Sequence, residues 1–418
     1  MAMLFGAWPF LVAQVPPDAI PEEKVRRIMN VLAGDSLRGR GNGSPDLLKA
    51  GMYIITHFKE AGLQPLPGSS GLFHPFLPFG GPKENKRDQL QWNGQTISSN
   101  DFLYLPAMPG VYNARLLADF KVVQADAFSS DVLLLHDSIQ HDLLIWTSPA
   151  AKERLKPEEL IMPAGGLKNA RLLVYADQPP DSLTLSANGS YYGSVEYNIV
   201  GVLPGRSKSG EYILFSAHYD HEGVAPGKKK DRIMNGANDN ASGTTALLML
   251  AQYYAQRNDN ERTLIFCAFA GEEIGLKGST ELAKTMEAER IKAGINLEML
   301  GVPQYGQKKV FITGQRNSNL PAMLGKALNE QGLKVINEPD ESKQLFMRSD
   351  NYPFASKEVP FHTIMASDDD DACYHRPCDE IKRIDMANLS FIIRAIAAGS
   401  RALISGEMTP GRAGRSNE

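Results

Sequence analysis

Cysteine is scarce in this chain. Three residues in 418, Cys267, Cys373 and Cys378, are too few for a disulfide framework to stand in for a core. Cys373 and Cys378 lie five positions apart around a histidine. One local bridge and two unpaired thiols are both open readings, because spacing alone does not place two Cβ atoms within bridging distance. Basic runs are short as well: none exceeds Lys228-Lys229-Lys230, and the net charge is −4. Without a basic face to neutralise phosphates, nucleic acid is not an expected partner. Beyond the first residues, no segment has the length and apolarity of a transmembrane helix. The opening stretch MAMLFGAWPFLVAQ is apolar but too short to span a bilayer, and polar VPPDAIPEEK follows it. Residues 1–19 therefore read as a secretory leader or a disordered N-terminus, which makes the expected location secreted or periplasmic.

What is present is an ordinary globular composition, 43% hydrophobic and 22% charged, long enough for one large domain with an insertion. EEKVRRIMNVLA and DLLKAGMYIITHFKEAG carry apolar residues at three- and four-residue spacing, predicting two amphipathic helices with Gly62 as the C-terminal stop of the second. Residues 76–192 change character. Short β-like runs (ARLLADFKVV, DVLLLHD, DLLIWTS, ARLLVYA, SLTLSA) alternate there with Pro, Gly, Asp and Ser clusters, predicting an inserted β-rich subdomain or lid. Residues 20–75 and 193–405 form the main domain, with 406–418 expected as a disordered tail. In that main part strands alternate with helices, including a helix over STELAKTMEAERIKA, and ILFSA and LIFCAFA are apolar throughout, as strands covered on both faces require. The expected fold is α/β: a mixed, mostly parallel, twisted central sheet flanked by helices on both faces.

Residues able to do chemistry fall where those strands end, the side on which open α/β sheets bind ligands. YILFSA runs into His218-Tyr219-Asp220-His221; NGANDNASG carries Asp239 before a helix; TLIFCAFAG ends in Glu272-Glu273; INLEML brings up Glu298, and ASDDDDACYHRPCDE brings up His375. Taken singly, each has an ordinary explanation: a satisfied polar histidine, a turn-forming or helix-capping aspartate, surface charge. Two glutamates side by side after a buried strand, however, are costly unless a cation or a raised pKa relieves them.

AHYDHEG, NGANDNASG, AGEEIGLKGS, INLEMLG and CYHRPCD occur in that order, and in this the sequence resembles the M28 zinc aminopeptidases over roughly 195–400. A weaker echo lies in LAGDSLRGRGNGS and in the helix ending KEAGL. The resemblance implies two Zn²⁺ ions bridged by Asp239, one also held by His218 and Glu298, the other by Glu273 and His375. Asp220 would orient His218, Asp379 would be a further supporting carboxylate, and Glu272 would be the general base. Adjacent positions at a strand end point in different directions, so Glu273 can face the metals and Glu272 the water. Tyr374 and Asp350 are candidate oxyanion or substrate contacts, and the segment RSDNYPF is expected to line the substrate pocket. The family usually has Asp at the position of Glu298. The extra methylene extends that carboxylate by roughly 1.5 Å and bears on occupancy of the second site. The implied function is removal of N-terminal residues from peptides with a free N-terminus. A glutaminyl-cyclase-like single-zinc acyltransferase, a carboxypeptidase of related fold and a non-enzymatic binding protein on the same fold are the competing readings.

Overall fold

A computed structural model describes residues 15–76, 88–105, 110–124, 141–150, 169–189, 195–227 and 231–412. The run DVLLLHD, most of the leader and residues 413–418 lie outside the described residues. The chain divides into two units, one built from the residues up to His74 and from Tyr197 onward, the other from Pro75–Glu196.

Helix α1 (Glu22–Leu32) buries Val25, Ile28, Met29 and Leu32, the one-face spacing of an amphipathic helix. Helix α2 (Pro45–Glu60) starts on Ser44, whose side chain accepts from the Leu47 N–H, with Pro45 at the first helical position. It stops at Gly62, whose φ of +72° suits a residue without Cβ. The Gly62 N–H reaches the Lys59 carbonyl and the Leu63 N–H the Phe58 carbonyl, a Schellman closure.

Strand β1 (Phe73–Phe76) follows, and then the second unit. Its first sheet contains β2 (Gln89–Trp92) and β3 (Gln95–Ile97), and its second opens with β4 (Phe102–Leu105). The expected single run ARLLADFKVV is two strands, β5 (Gly110–Leu116) and β6 (Lys121–Gln124), parted by a 3-10 turn that Asp119 closes by accepting the Leu116 N–H at 2.8 Å. With β7 (Leu143–Thr147), β8 (Arg171–Tyr175) and β9 (Leu183–Gly189) these make two four-stranded sheets, β3-β2-β9-β5 and β4-β8-β7-β6. Alternate residues such as Leu90, Trp92, Leu172, Val174, Leu183 and Leu185 meet in one apolar cluster.

The first unit continues with β10 (Glu196–Leu203), β11 (Lys208–His218), α3 (Gly243–Arg257), β12 (Arg262–Phe269), α4 (Lys277–Thr285) and β13 (Ile291–Glu298). Then come β14 (Lys309–Ile312), α5 (Leu320–Glu330), β15 (Lys334–Ile336), α6 (Tyr352–Ala355), β16 (Phe361–Met365), α7 (Met386–Gly399) and α8 (Arg401–Ser405). The sheet order is β1-β10-β12-β11-β13-β16-β14-β15. Its centre, β12-β11-β13-β16, is parallel, while β10 and β14 pair antiparallel to β12 and β16. Side chains alternate across it. Leu214, Ile265, Cys267 and Phe269 pack with Leu282, Ala283 and Phe354 of α4 and α6 on one face. On the other, Phe215 and Phe266 stack at 5.6 Å and meet Tyr254 of α3 and Phe58 of α2. Helices thus cover both faces, and the apolar strands are apolar for that reason.

Two local expectations change. The helix over STELAKTMEAERIKA ends at Thr285, and Ile291 already pairs with Tyr212 of β11, because the parallel ladder satisfies the backbone of IKA better than another helical turn would. The expected tail is bonded through residue 412. Arg262, buried at the start of β12, donates to the carbonyls of Leu403 and Met408, and Arg412 donates to those of Ala288 and Lys357. The run Met386–Ser405 is long and apolar enough to cross a membrane by length and composition, against expectation, yet 72% of its apolar 18-residue window is buried inside the fold as a core helix pair.

Candidate metal centre

The carboxyl ends of β11, β12 and β13 lie side by side, since His218 pairs with Phe269 and Ser216 with Asn296. His218 is the last residue of β11, and its carbonyl accepts the Thr244 hydroxyl of α3 at 2.7 Å, which fixes the strand end to the helix start. Asp239 sits in the irregular turn Ala237–Ser242 that leads into α3, and its peptide bond to Asn240 is cis. Gly236, at φ +55°, makes this turn possible: a Cβ there would stand 2.1 Å from the Asp239 carbonyl oxygen. Asp379 accepts the N–H groups of both Asn238 and Asp239, at 2.9 and 3.0 Å, and so holds the turn from the far end of the chain.

Asp239 presents one oxygen to each of two histidines. Its Oδ1 is 3.3 Å from His218 Nε2 and its Oδ2 is 3.2 Å from His375 Nε2, which in turn lies 3.0 Å from Glu273 Oε2. Both imidazole nitrogens are buried without a hydrogen-bonding partner among the described residues. Donor atoms sharing a tetrahedral Zn²⁺ through bonds of about 2.0–2.1 Å stand roughly 3.3–3.4 Å apart, so unpaired nitrogens at these separations fit a metal-binding carboxylate bridge.

The structure thus brings His218, Asp239, Glu273 and His375 together. Among the described residues two groups of donors lie within 4.8 Å of one another: His221, Asp239, Glu273 and His375, and His218, Glu272 and Glu273. Glu298, expected beside His218 and Asp239, belongs to neither. Its Oε2 accepts the Ser349 hydroxyl and, at 3.3 Å, the Asn296 amide. The longer side chain reaches those neutral donors, and Asn296 is itself fixed by the Ser216 hydroxyl at 2.6 Å.

Glu272 and Glu273 diverge for a reason other than strand alternation. They occupy a turn beyond Phe269, and the carboxylate of Asp220 accepts both of their N–H groups, at 3.3 and 3.2 Å. Asp220 therefore works chiefly on the glutamates, with Asn42 also donating to it at 2.8 Å. His218 Nδ1 is nearer the Asp220 backbone oxygen, 3.3 Å, than its carboxylate, 3.7 Å.

Asp350, a candidate substrate contact from the sequence, is completely buried and is not among the residues lining the pocket. Its neighbours in RSDNYPF divide: Arg348 and Ser349 line the pocket beside the donors, with Met299, Leu345, Met365 and Tyr374, while Phe354 packs in the core. The Tyr374 ring stacks on His375 at 3.9 Å. Tyr374 and His375 lie inside the loop closed by a Cys373–Cys378 disulfide.

Electrostatics follow from this crowding. Burial, reinforced by the charges of Glu298, Glu273 and Asp350, pushes the Glu272 carboxyl well above its usual range, although His218 opposes it. Burial opposes protonation of His375, but the carboxylates of Asp239 and Glu273 beside it outweigh burial and raise the pKa to about 10. Asp239 goes the other way: burial would raise it, yet His218 and His375 hold it far below the carboxylate range. Protons on imidazoles here balance the charge that cations would balance.

Four contributors were given no individual role by the motifs. Arg40, in the polar break after α1, is buried and donates to the carbonyls of Leu32, Tyr219, Asn235 and Gly236 at 2.6–3.0 Å. His221, Asn42 and Ser349 are the others. Each stood in a quoted stretch, Arg40 and Asn42 in LAGDSLRGRGNGS, His221 in AHYDHEG and Ser349 in RSDNYPF, none of which says what the side chain touches.

Fold and donor set together define a metal-binding α/β protein whose ligand chemistry suits zinc. Residues 198–399 match the model of peptidase family M28. Aminopeptidase YwaD of Bacillus subtilis is 25% identical over 204 residues, 47% of this chain and 41% of that protein. A probable zinc metalloprotease of Pyrenophora tritici-repentis is 37% identical over 113 residues, 25% and 24% of the two chains. The chain thus spans about a quarter to two-fifths of the length of these relatives. Among solved structures, an aminopeptidase from Aneurinibacillus sp. strain AM-1 superposes with a TM-score of 0.54 at 19% identity, covering 92% of this chain and 94% of that one, a likeness of fold.

Proposed function

We propose that this protein is a zinc-dependent aminopeptidase that hydrolyses the first peptide bond of substrates with a free N-terminus. The carrying observation is Asp239, whose two oxygens each face an unpaired imidazole nitrogen, His218 on one side and His375 on the other. On this reading Asp239 would be shared by two ions. His218 belongs to one site, Glu273 and His375 to the other, and Glu298 would join the first through Oε1, since its Oε2 accepts from Ser349. Zinc, when bound, supplies the Lewis acidity that makes water nucleophilic near neutral pH and polarises the scissile carbonyl.

Glu272 is the base. Its raised proton affinity, from burial and from neighbouring carboxylates, suits a group that accepts a proton from the attacking water and returns it to the leaving amine. Asp220 aims it through the backbone, and Tyr374 forms a wall of the pocket beside it. The apolar lining of Met299, Leu345 and Met365 supports an apolar N-terminal side chain in that pocket. Export to an oxidising compartment is part of the proposal and is supported by the Cys373–Cys378 bridge.

The test is hydrolysis of aminoacyl chromogenic amides and N-acetylated controls, before and after chelation and zinc add-back. Cleavage of free-amine substrates alone, lost on chelation and restored by zinc, is expected. Cyclisation of N-terminal glutamine without amide cleavage would instead establish the acyltransferase reading, and absence of zinc binding would overturn the mechanism.

A further inference from the structure

We infer that His221 is a positioning residue for Glu273, donating its Nδ1–H to Oε1 so that Oε2 is the oxygen turned toward the metal. His221 Nδ1 stands 2.6 Å from Glu273 Oε1, while Glu273 Oε2 is the oxygen that faces His375 Nε2 at 3.0 Å. The two oxygens of one carboxylate thus have separate tasks. The other role open to His221 is that of a fourth ligand, since its Nδ1 also lies 3.8 Å from Asp239 Oδ2.

Two observations decide for positioning. A separation of 2.6 Å is a charge-assisted hydrogen bond, whereas two atoms bound to one tetrahedral zinc are held roughly 3.3 Å apart. The second is the far nitrogen, Nε2, which is buried without a partner among the described residues. If Nδ1 bound metal, Nε2 would carry a buried N–H with no acceptor; with Nδ1 donating, Nε2 is a bare lone pair, the less costly of the two.

The ring cannot turn to exchange these roles. Its side chain is 0% exposed, its backbone N–H donates to the Arg40 carbonyl, and Gly236 passes so close that a Cβ there would stand 2.5 Å from His221 Cδ2. Glu273 is therefore fixed at both ends: its N–H by Asp220 and its Oε1 by His221. Removing the outer partner of a ligand typically weakens metal binding about 10–100-fold.

Two variants separate the roles. In H221N the amide nitrogen falls where the imidazole Nδ1 was and still donates an N–H, but the imidazole is gone; H221A removes both. Zinc affinity by chelator competition is expected to fall about 10–100-fold in H221A and to stay within about threefold of wild type in H221N. The visible spectrum of cobalt-substituted H221N is expected to match wild type. An H221N that loses metal as fully as H221A, with an altered cobalt spectrum, would make His221 a ligand. An H221A that binds zinc like wild type would leave it without a role. Should H221A fail to fold, H221N alone decides between donor and ligand. The inference rests on the metal reading of the site, and wild-type protein that takes up no zinc would sink that reading rather than the role of His221.

Discussion

Arg40 carries a buried positive charge with four carbonyl acceptors, and no carboxylate is among its hydrogen-bond partners. Burial lowers its pKa to about 10, while Asp239, Asp379, Asp220 and Glu273 hold its proton in place, so it remains a cation beneath an anionic site at neutral pH. Arg40→Met would strand those carbonyls, and a loss of about 3 kcal/mol or more is expected in denaturant unfolding of the metal-free protein; a loss below about 1 kcal/mol would show that water replaces the guanidinium. Glu272→Gln tests a different role. It should leave zinc content unchanged and lower turnover by about 10²–10⁴-fold, since it removes only the proton carrier. A variant that loses zinc would instead place Glu272 among the ligands, beside His218 and Glu273. The type and order of the donors were legible in the motifs. Arg40 was not, because an arginine between glycines looks like a solvated loop until four carbonyls from three other segments close on it.

Strand and turn, rather than individual side chains, deliver the donors. β11, β12 and β13 bring their carboxyl ends to one edge, and the turn after β12 separates Glu272 from Glu273 through Asp220. The loop from Cys373 to Cys378 holds His375 at φ +50°, an uncommon conformation for a residue with a side chain. Closing so short a loop is worth about 2 kcal/mol in the chain-entropy account. Reduction, or Cys373→Ser with Cys378→Ser, is therefore expected to release one zinc per chain in dialysis against a chelator that the oxidised protein resists. Equal retention would mean that the Arg383–Asp371 pair, 2.7 Å long at the start of this segment, holds it unaided. The bridge itself was only one of two readings of the sequence, because the backbone path between its cysteines is set by contacts elsewhere.

At the scale of the whole molecule, the anionic site is a cost of folding that metal relieves. Asp350, buried and beside the charges of Asp220 and Glu298, has its carboxyl raised from 3.8 to about 7, although His218 opposes the shift. A carboxyl raised on folding favours the folded state below its unfolded pKa, and that contribution is lost as the pH climbs to the folded value. Metal-free Asp350→Asn should therefore melt at or below wild type near pH 4 and above it at pH 8, by roughly 2–4 °C for each kcal/mol relieved. Parallel melting curves across that range would mean that the neighbouring carboxylates take up the proton instead. Helix periodicity, the capping of α2, the apolar central strands and the ordered run of donors are properties of adjacent residues, and the sequence determined them by itself. Other features join residues far apart: His221 to Glu273 across 52 positions, Glu298 to Ser349 across 51, Arg40 to Tyr219 across 179. Only the tertiary structure decided these, because a hydrogen bond depends on where two atoms lie in space, and the packing of the sheet and its helices sets that distance.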